Sequence, residues 1–133
     1  MSVFADAIFK ILDDDVALTA SVTEGIHLVK APQGTGNPSI VIQIQSKDPT
    51  NTKGGIAAEV ELVYVQIDVY TDTYRPGQVI AEEVKTALNR YTGTPAGTGI
   101  EIDTVLFENQ SDFFDDLAKS FRVMQDYRVR QKI

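Results

Sequence analysis

Two segments of this 133-residue chain carry apolar residues at helical spacing. The first segment predicts a helix from Ser2 to Leu12, with the Ser2 hydroxyl as its N-cap. The second predicts a longer helix from Arg75 to Tyr91, which Asp72 or Thr73 can cap. The apolar positions of the first helix are Val3, Phe4, Ala7, Ile8, Ile11 and Leu12.

An acidic triplet, Asp13–Asp15, follows the first helix. Carboxylates are favourable at the start of a helix because the helix dipole is positive there. We therefore interpret the triplet as the start of a short second helix through Val16, Leu18 and Val22 rather than as a metal site.

Alternating apolar and polar residues predict strands in the middle of the chain. A short strand follows Gly25, and a second covers Ile40–Gln45. A polar loop, Lys47–Ile56, leads to a third strand that begins near Glu59. This strand runs for about 12–14 residues, longer than the usual length of about 5–6. Since it extends beyond what the chain's own core needs, we expect the far end of this hairpin to meet another protein.

The C-terminal part predicts a strand at Ile100–Leu106, an acidic turn at Asn109–Asp116, and a last strand from Phe121 to the terminus. The element order is helix, helix, three strands, helix and two strands, which indicates an α+β fold. We expect one domain over residues 1–133. Its mostly antiparallel sheet packs an apolar face against the long helix and the N-terminal helix.

One face of the last strand is basic. It carries four of the chain's 12 Lys and Arg residues, although the formal net charge of the chain is −7. A solvated outer face explains this pattern most simply. The alternative is an electrostatic contact with an acidic surface on a neighbouring protein. The four residues are Arg122, Arg128, Arg130 and Lys132.

Candidate chemistry is sparse. Without cysteine the chain has no disulfide, thiolate nucleophile or cysteine-based zinc site, and its one histidine, His27, lies on a short apolar strand where a structural role is expected. No nucleophile elbow, phosphate-binding loop, dinucleotide fingerprint or calcium loop is present. The negative charge argues against nonspecific nucleic-acid binding. With neither a signal peptide nor a membrane-spanning run, we expect synthesis in the cytoplasm. We predict no catalytic, cofactor or metal residues.

Five segments follow one another over nearly the whole chain: DDDVALTASV, APQGTGNPSIVI, KGGIAAEVELVYVQIDVYTDTY, AEEVKTALNRY and SFRVMQDYRVR. In this order they resemble the tail-completion family of long-tailed bacteriophages, the tail-terminator or tail-to-head-joining proteins. The resemblance implies an α+β fold without an active site. It also implies a ring, typically of six copies, on the end of the tail tube. Such a ring stops polymerisation of the tail tube protein, meets the head connector and lets DNA pass through its lumen.

The resemblance and the charge pattern together suggest where subunits meet. We expect the polar loop Lys47–Ile56 to become ordered on assembly. We also expect the basic face of the last strand to contact acidic residues of a neighbouring subunit, either Glu59 and Glu61 or the turn that contains Asp112, Asp115 and Asp116. The alternatives are a small enzyme or ligand-binding domain, a prophage-encoded regulatory adaptor, or another neck or minor tail component. The candidate interface residues are Lys47, Asp48, Lys53, Glu59, Glu61, Arg122, Arg128, Arg130 and Lys132.

Overall fold

The computed structural model describes residues 3–49, 60–117 and 119–132. Its helices and strands follow the order that the sequence predicts. In chain order they are α1 (Phe4–Asp13), α2 (Val16–Ser21), β1 (Ile26–Leu28), β2 (Ser39–Pro49), β3 (Val60–Thr71), α3 (Tyr74–Leu88), β4 (Ile102–Asp115) and β5 (Ser120–Lys132).

Within the described residues the strands form one five-stranded sheet in the order β1-β2-β3-β5-β4. β1 pairs with β2 in parallel, and every other pair of neighbours is antiparallel. β3 lies at the centre and pairs with β5 from Val60↔Lys132 to Thr71↔Phe121. The predicted α+β fold with a mostly antiparallel sheet is confirmed.

The hydrophobic core lies between the helices and one face of the sheet. Alternate residues of β3, from Val63 to Val69, are buried there, because side chains alternate along a strand. Gly77 lets α3 approach the sheet closely, since an added Cβ would lie 2.7 Å from Oγ1 of Thr71. The helical residues of this core are Phe4, Ala7, Ile8, Ile11, Leu12, Leu18, Ile80, Ala81, Val84 and Leu88.

The first two helices begin at different kinds of cap. Val3 occupies the N-cap position of α1, and its backbone N donates to Oδ2 of Asp6 at 2.8 Å. The prediction that Ser2 is the N-cap is therefore wrong by one position, because α1 begins at Phe4. Asp15 caps α2 by accepting a hydrogen bond from the backbone N of Leu18 at 3.0 Å. This bond confirms that the acidic triplet marks a helix start.

A hydrogen-bonded polar network connects α3 to β4 and β5 inside the core. Nε2 of the fully buried Gln125 donates to the carbonyl oxygen of Ala81 at 3.0 Å and to Oε1 of Gln110 at 2.9 Å. Its Oε1 accepts from the Tyr127 hydroxyl at 2.8 Å. Burial, and secondarily the Glu82 carboxylate, raises the pKa of Tyr127 far above its usual range, so the phenol remains a donor. The network therefore holds α3 against the β4–β5 pair, at the position where Gln110 and Gln125 lie opposite each other.

Two stretches interpreted from sequence as loops belong to strands. The acidic turn predicted at Asn109–Asp116 is wrong, because β4 continues to Asp115 and pairs with β5 as far as Asp115↔Ser120. Asp, Asn and Ser favour turns locally, but the ladder of a neighbouring strand overrides that preference. β2 likewise continues to Pro49, so the first residues of the loop predicted at Lys47–Ile56 are in a strand.

Most of the remaining boundaries agree with the sequence prediction to within about two residues or lie outside the described residues, and the end of α3 differs. The rest of the predicted loop and the strand start near Glu59 lie outside them. The described part of β3 spans 12 residues, which confirms an unusually long strand. α3 ends at Leu88 rather than at the predicted Tyr91. Asn89 leaves the helical conformation there, and its Oδ1 accepts from the backbone N of Phe107 at 3.0 Å, which ties the helix end to β4.

Candidate assembly interface

The basic residues of β5 alternate with its buried residues and so lie on the face of the sheet opposite the helices. Each of the four has a carboxylate of its own chain within 4 Å. The sequence did not reveal these partners, because they depend on the register of β5 against β3 and β4. The ion pairs are Arg122–Asp68 at 3.1 Å, Arg128–Glu108 at 3.9 Å, Arg130–Asp103 at 3.7 Å and Lys132–Glu101 at 3.4 Å.

These ion pairs are of two kinds. The side chain of Asp68 is 0% exposed and receives both Nε and Nη2 of Arg122, so this pair is part of the structure of the sheet. In the other three pairs every side chain is between 38% and 54% exposed. Exposed pairs contribute about 0–1 kcal/mol, so their basic members can exchange partners at low cost. A contact of Arg128, Arg130 and Lys132 with a neighbour stays a prediction.

The other interface candidates that the structure describes lie near one end of the sheet. Lys47 and Asp48 are near the end of β2, and Glu61 is near the start of β3. The strand ladder joins them, with Pro49 opposite Glu61. Nζ of Lys47 lies 6.0 Å from the centre of an aromatic ring of α1, which places it on the helix side of the sheet. Lys53 and Glu59 lie outside the described residues, and the role of all five stays a prediction.

The structure adds a surface that the sequence interpretation missed, at the end of the β4–β5 hairpin. We call Phe113, Phe114 and Leu117 the hairpin tip. Their exposed fractions are 47%, 47% and 97%. The sequence interpretation used only the acidic residues of this segment. The signal that could have predicted this surface is the presence of three large apolar residues within five positions. Exposed apolar groups rimmed by carboxylates are typical of a protein contact surface. The surrounding acidic residues are Asp112, Asp115 and Asp116.

In residues 3–49, 60–117 and 119–132, no three His, Asp or Glu side chains are arranged to hold a metal ion. No helix in the same ranges is long and apolar enough to cross a membrane. Nε2 of His27 lies 2.9 Å from the carbonyl oxygen of Glu24 and donates to it, so this ring closes a local turn.

Replacing His27 by Gln is therefore expected to leave the protein folded and competent for assembly. The Gln side-chain amide can donate to the same carbonyl group, so the free energy of unfolding should fall by at most about 1 kcal/mol. Urea unfolding and an assembly assay measure the two effects. A folded variant that fails to assemble would show that the imidazole has a role beyond this hydrogen bond.

Comparison with solved structures identifies the fold, and comparison with family models identifies the family. The fold is similar to that of a chain in a structure titled "Virion of native gene transfer agent (GTA) particle", with a TM-score of 0.75 and 19% identity. The match covers 98% of this chain and 95% of that one. The family model described as "Tail completion protein gp17" matches residues 6–132, and the chain belongs to this family. The comparison with curated proteins found no relative. The chain is thus a structural protein of the phage tail within the virion, as the five sequence segments suggested.

Proposed function

We propose that this protein caps the head-proximal end of the tail tube as a ring of six copies. There it ends polymerisation of the tube protein and joins the tail to the head connector. Membership of the tail-completion family supports this role. The structural observation that carries it is the β4–β5 hairpin, whose two long strands end in apolar residues that the chain itself leaves exposed. Such a tip suits insertion into an adjacent component.

The charge of the chain also fits a conduit for DNA. Six copies at −7 each carry a formal charge of −42. An acidic lumen repels the phosphate backbone, so DNA can pass without being held. The same charge makes copies repel one another, so any ring needs local contacts between opposite charges or between apolar groups. The exposed basic residues of β5 and the hairpin tip can provide contacts of these two kinds.

Phage that lack this protein are expected to make tails of uncontrolled length that do not join heads. Electron microscopy of lysates would measure tail length and the fraction of tails that carry a head. Wild-type protein supplied from a plasmid should restore both. Tails of normal length that still fail to join heads would assign the protein to another neck component. Normal particles in its absence would overturn the proposed function altogether.

A further inference from the structure

A groove between α2 and α3 faces away from the sheet. Its volume is about 490 Å³, and Val79 in it is 57% exposed. A second hollow of about 390 Å³ shares Val79 and extends the apolar surface along α3 past Pro76 and Ile80. We call the first hollow the helix groove. It is lined by Asp15, Ala17, Gln78, Val79, Glu82, Glu83 and Thr86.

The helix groove carries negative charge and unpaired polar atoms. Of the described residues, three carboxylates line it and no Lys or Arg does. Within the described residues, Nε2 of Gln78 and Oε2 of Glu83 are buried without a hydrogen-bond partner. Both atoms are covered in the isolated chain, so a second molecule reaches them only when the two side chains rotate towards the groove. Supplying their hydrogen-bond partners then removes a cost of about 1–3 kcal/mol for each atom. The occupant that fits is aliphatic, carries a cation for the carboxylates of Glu82 and Glu83, and offers a carbonyl oxygen to Gln78.

The same chain presents a segment of this chemistry at the end of β1. Leu28 and Val29 are 37% and 68% exposed, and the exposed Lys30 follows them. Among the described residues Lys30 makes no ion pair with a carboxylate. We call Leu28–Lys30 the β1 turn. It lies at the edge of the sheet, whereas the helix groove lies in the helix layer.

The β1 turn exposes Val29 in a strained backbone conformation. Val29 has a φ of +68°, which is unfavourable for a β-branched residue. The backbone N of Lys30 donates to the carbonyl oxygen of Leu28 at 2.7 Å, which closes a tight turn around Val29. Two further hydrogen bonds fix Val29, from its N to the carbonyl oxygen of Ile42 at 2.7 Å and from Nε2 of Gln43 to its carbonyl oxygen at 3.3 Å. Strain that is held in place in this way is typical of a residue presented for contact.

We propose that the β1 turn of one copy docks in the helix groove of the next copy. Val29 packs against Val79, the Lys30 ammonium pairs with the exposed Glu82 and lies near Glu83, and a carbonyl oxygen of the turn accepts from Gln78. Because each copy has both the turn and the groove, the contact is head-to-tail and closes into a ring when the rotation allows. The inference rests on the proposed function only in requiring that copies of this chain meet.

Cysteine cross-linking tests the contact directly, because the natural chain has no cysteine. The double variant Lys30→Cys/Glu82→Cys, treated with a short thiol cross-linker in assembled particles, is expected to give a ladder of linked copies extending beyond the dimer. A mixture of the two single variants should give covalent dimers and nothing larger, since one cysteine of each kind is used. Lys30→Cys/Thr94→Cys is the matched control, with the second cysteine at an exposed site outside the groove.

Charge exchange gives a second readout that needs no cross-link. Lys30→Glu alone is expected to weaken association of the purified protein by about tenfold, and Lys30→Glu/Glu82→Lys to restore it. The absence of a ladder in particles that contain the double cysteine variant would overturn the inference, as would an equal ladder from the control. Dimers from Lys30→Cys alone would overturn it in favour of a symmetric contact. These outcomes do not depend on tail length or on head joining, which test the proposed function. The experiments can therefore contradict the contact without contradicting the proposed function, and the reverse.

Discussion

Replacing Arg122 by Met is expected to lower the free energy of unfolding by about 3 kcal/mol, a large share of the stability of a domain this size. Asp68 is 0% exposed at the centre of the sheet, and one of its oxygens receives both Nε and Nη2 of Arg122 at 3.1 Å. Without the guanidinium group, the hydrogen bonds that the buried carboxylate would retain among the described residues are those from the Gln66 side chain. Chemical unfolding in urea measures the loss.

Arg128→Met is the matched control for this prediction. It removes the same kind of side chain from the same face of β5, but its pair with Glu108 is 3.9 Å long and about 40% exposed on both sides. Its expected cost is below about 1 kcal/mol. Asp68→Asn combined with Arg122→Met should recover much of the lost stability, because no buried charge is then left unpaired. Equal costs for Arg122→Met and Arg128→Met would contradict the distinction between the two kinds of pair.

The same control variant addresses the hypothesis that the basic face meets a neighbour. If Arg128→Met folds normally but assembles poorly, the exposed basic residues act between subunits. If it assembles normally, the face is a solvated surface with weak internal ion pairs. The structure narrows this hypothesis, because it removes Arg122 from the residues that are free to exchange partners.

Periodicity along the chain predicts most of this fold. The order of the elements, the buried stripes of α1 and α3 and the alternation of β5 all follow from spacings of 3.6 and 2, which are local properties. The Asn109–Asp116 segment was misinterpreted because its turn-forming residues dominate the local signal. What decides its conformation is β5, which lies beyond it in the chain and supplies every ladder partner.

The candidate site was less predictable than the fold. The sequence identified which β5 residues are basic and which way they face, but the partner of Arg122 is 54 residues away along the chain. No local pattern indicates that Asp68 is buried, since it alternates with apolar residues like any outward-facing polar residue. The helix groove and the β1 turn are likewise defined only after α2, α3 and β1 have packed.

The hairpin tip is expected to be essential for the contact of this protein with the head connector or with the tail tube, and so for joining tails to heads. Phe113→Ser combined with Leu117→Ser should lower the free energy of unfolding by at most about 2 kcal/mol, since Leu117 is 97% exposed and Phe113 is 47% exposed. Exposed apolar anchors account for much of the affinity of a protein contact. We therefore expect this double variant to bind its partner component about 100-fold more weakly, equivalent to about 2.7 kcal/mol.

The measurement is the fraction of tails joined to heads when purified variant protein is added to a lysate that lacks the natural one. Val3→Ser is the control, because it removes an apolar side chain that is 61% exposed and far from the hairpin tip along the chain, and it places a favourable residue at the N-cap of α1. The control should join tails as well as wild type does. Normal joining by the folded tip variant would show that Phe113 and Leu117 are exposed without being bound, and the proposed contact would have to lie on another part of the sheet.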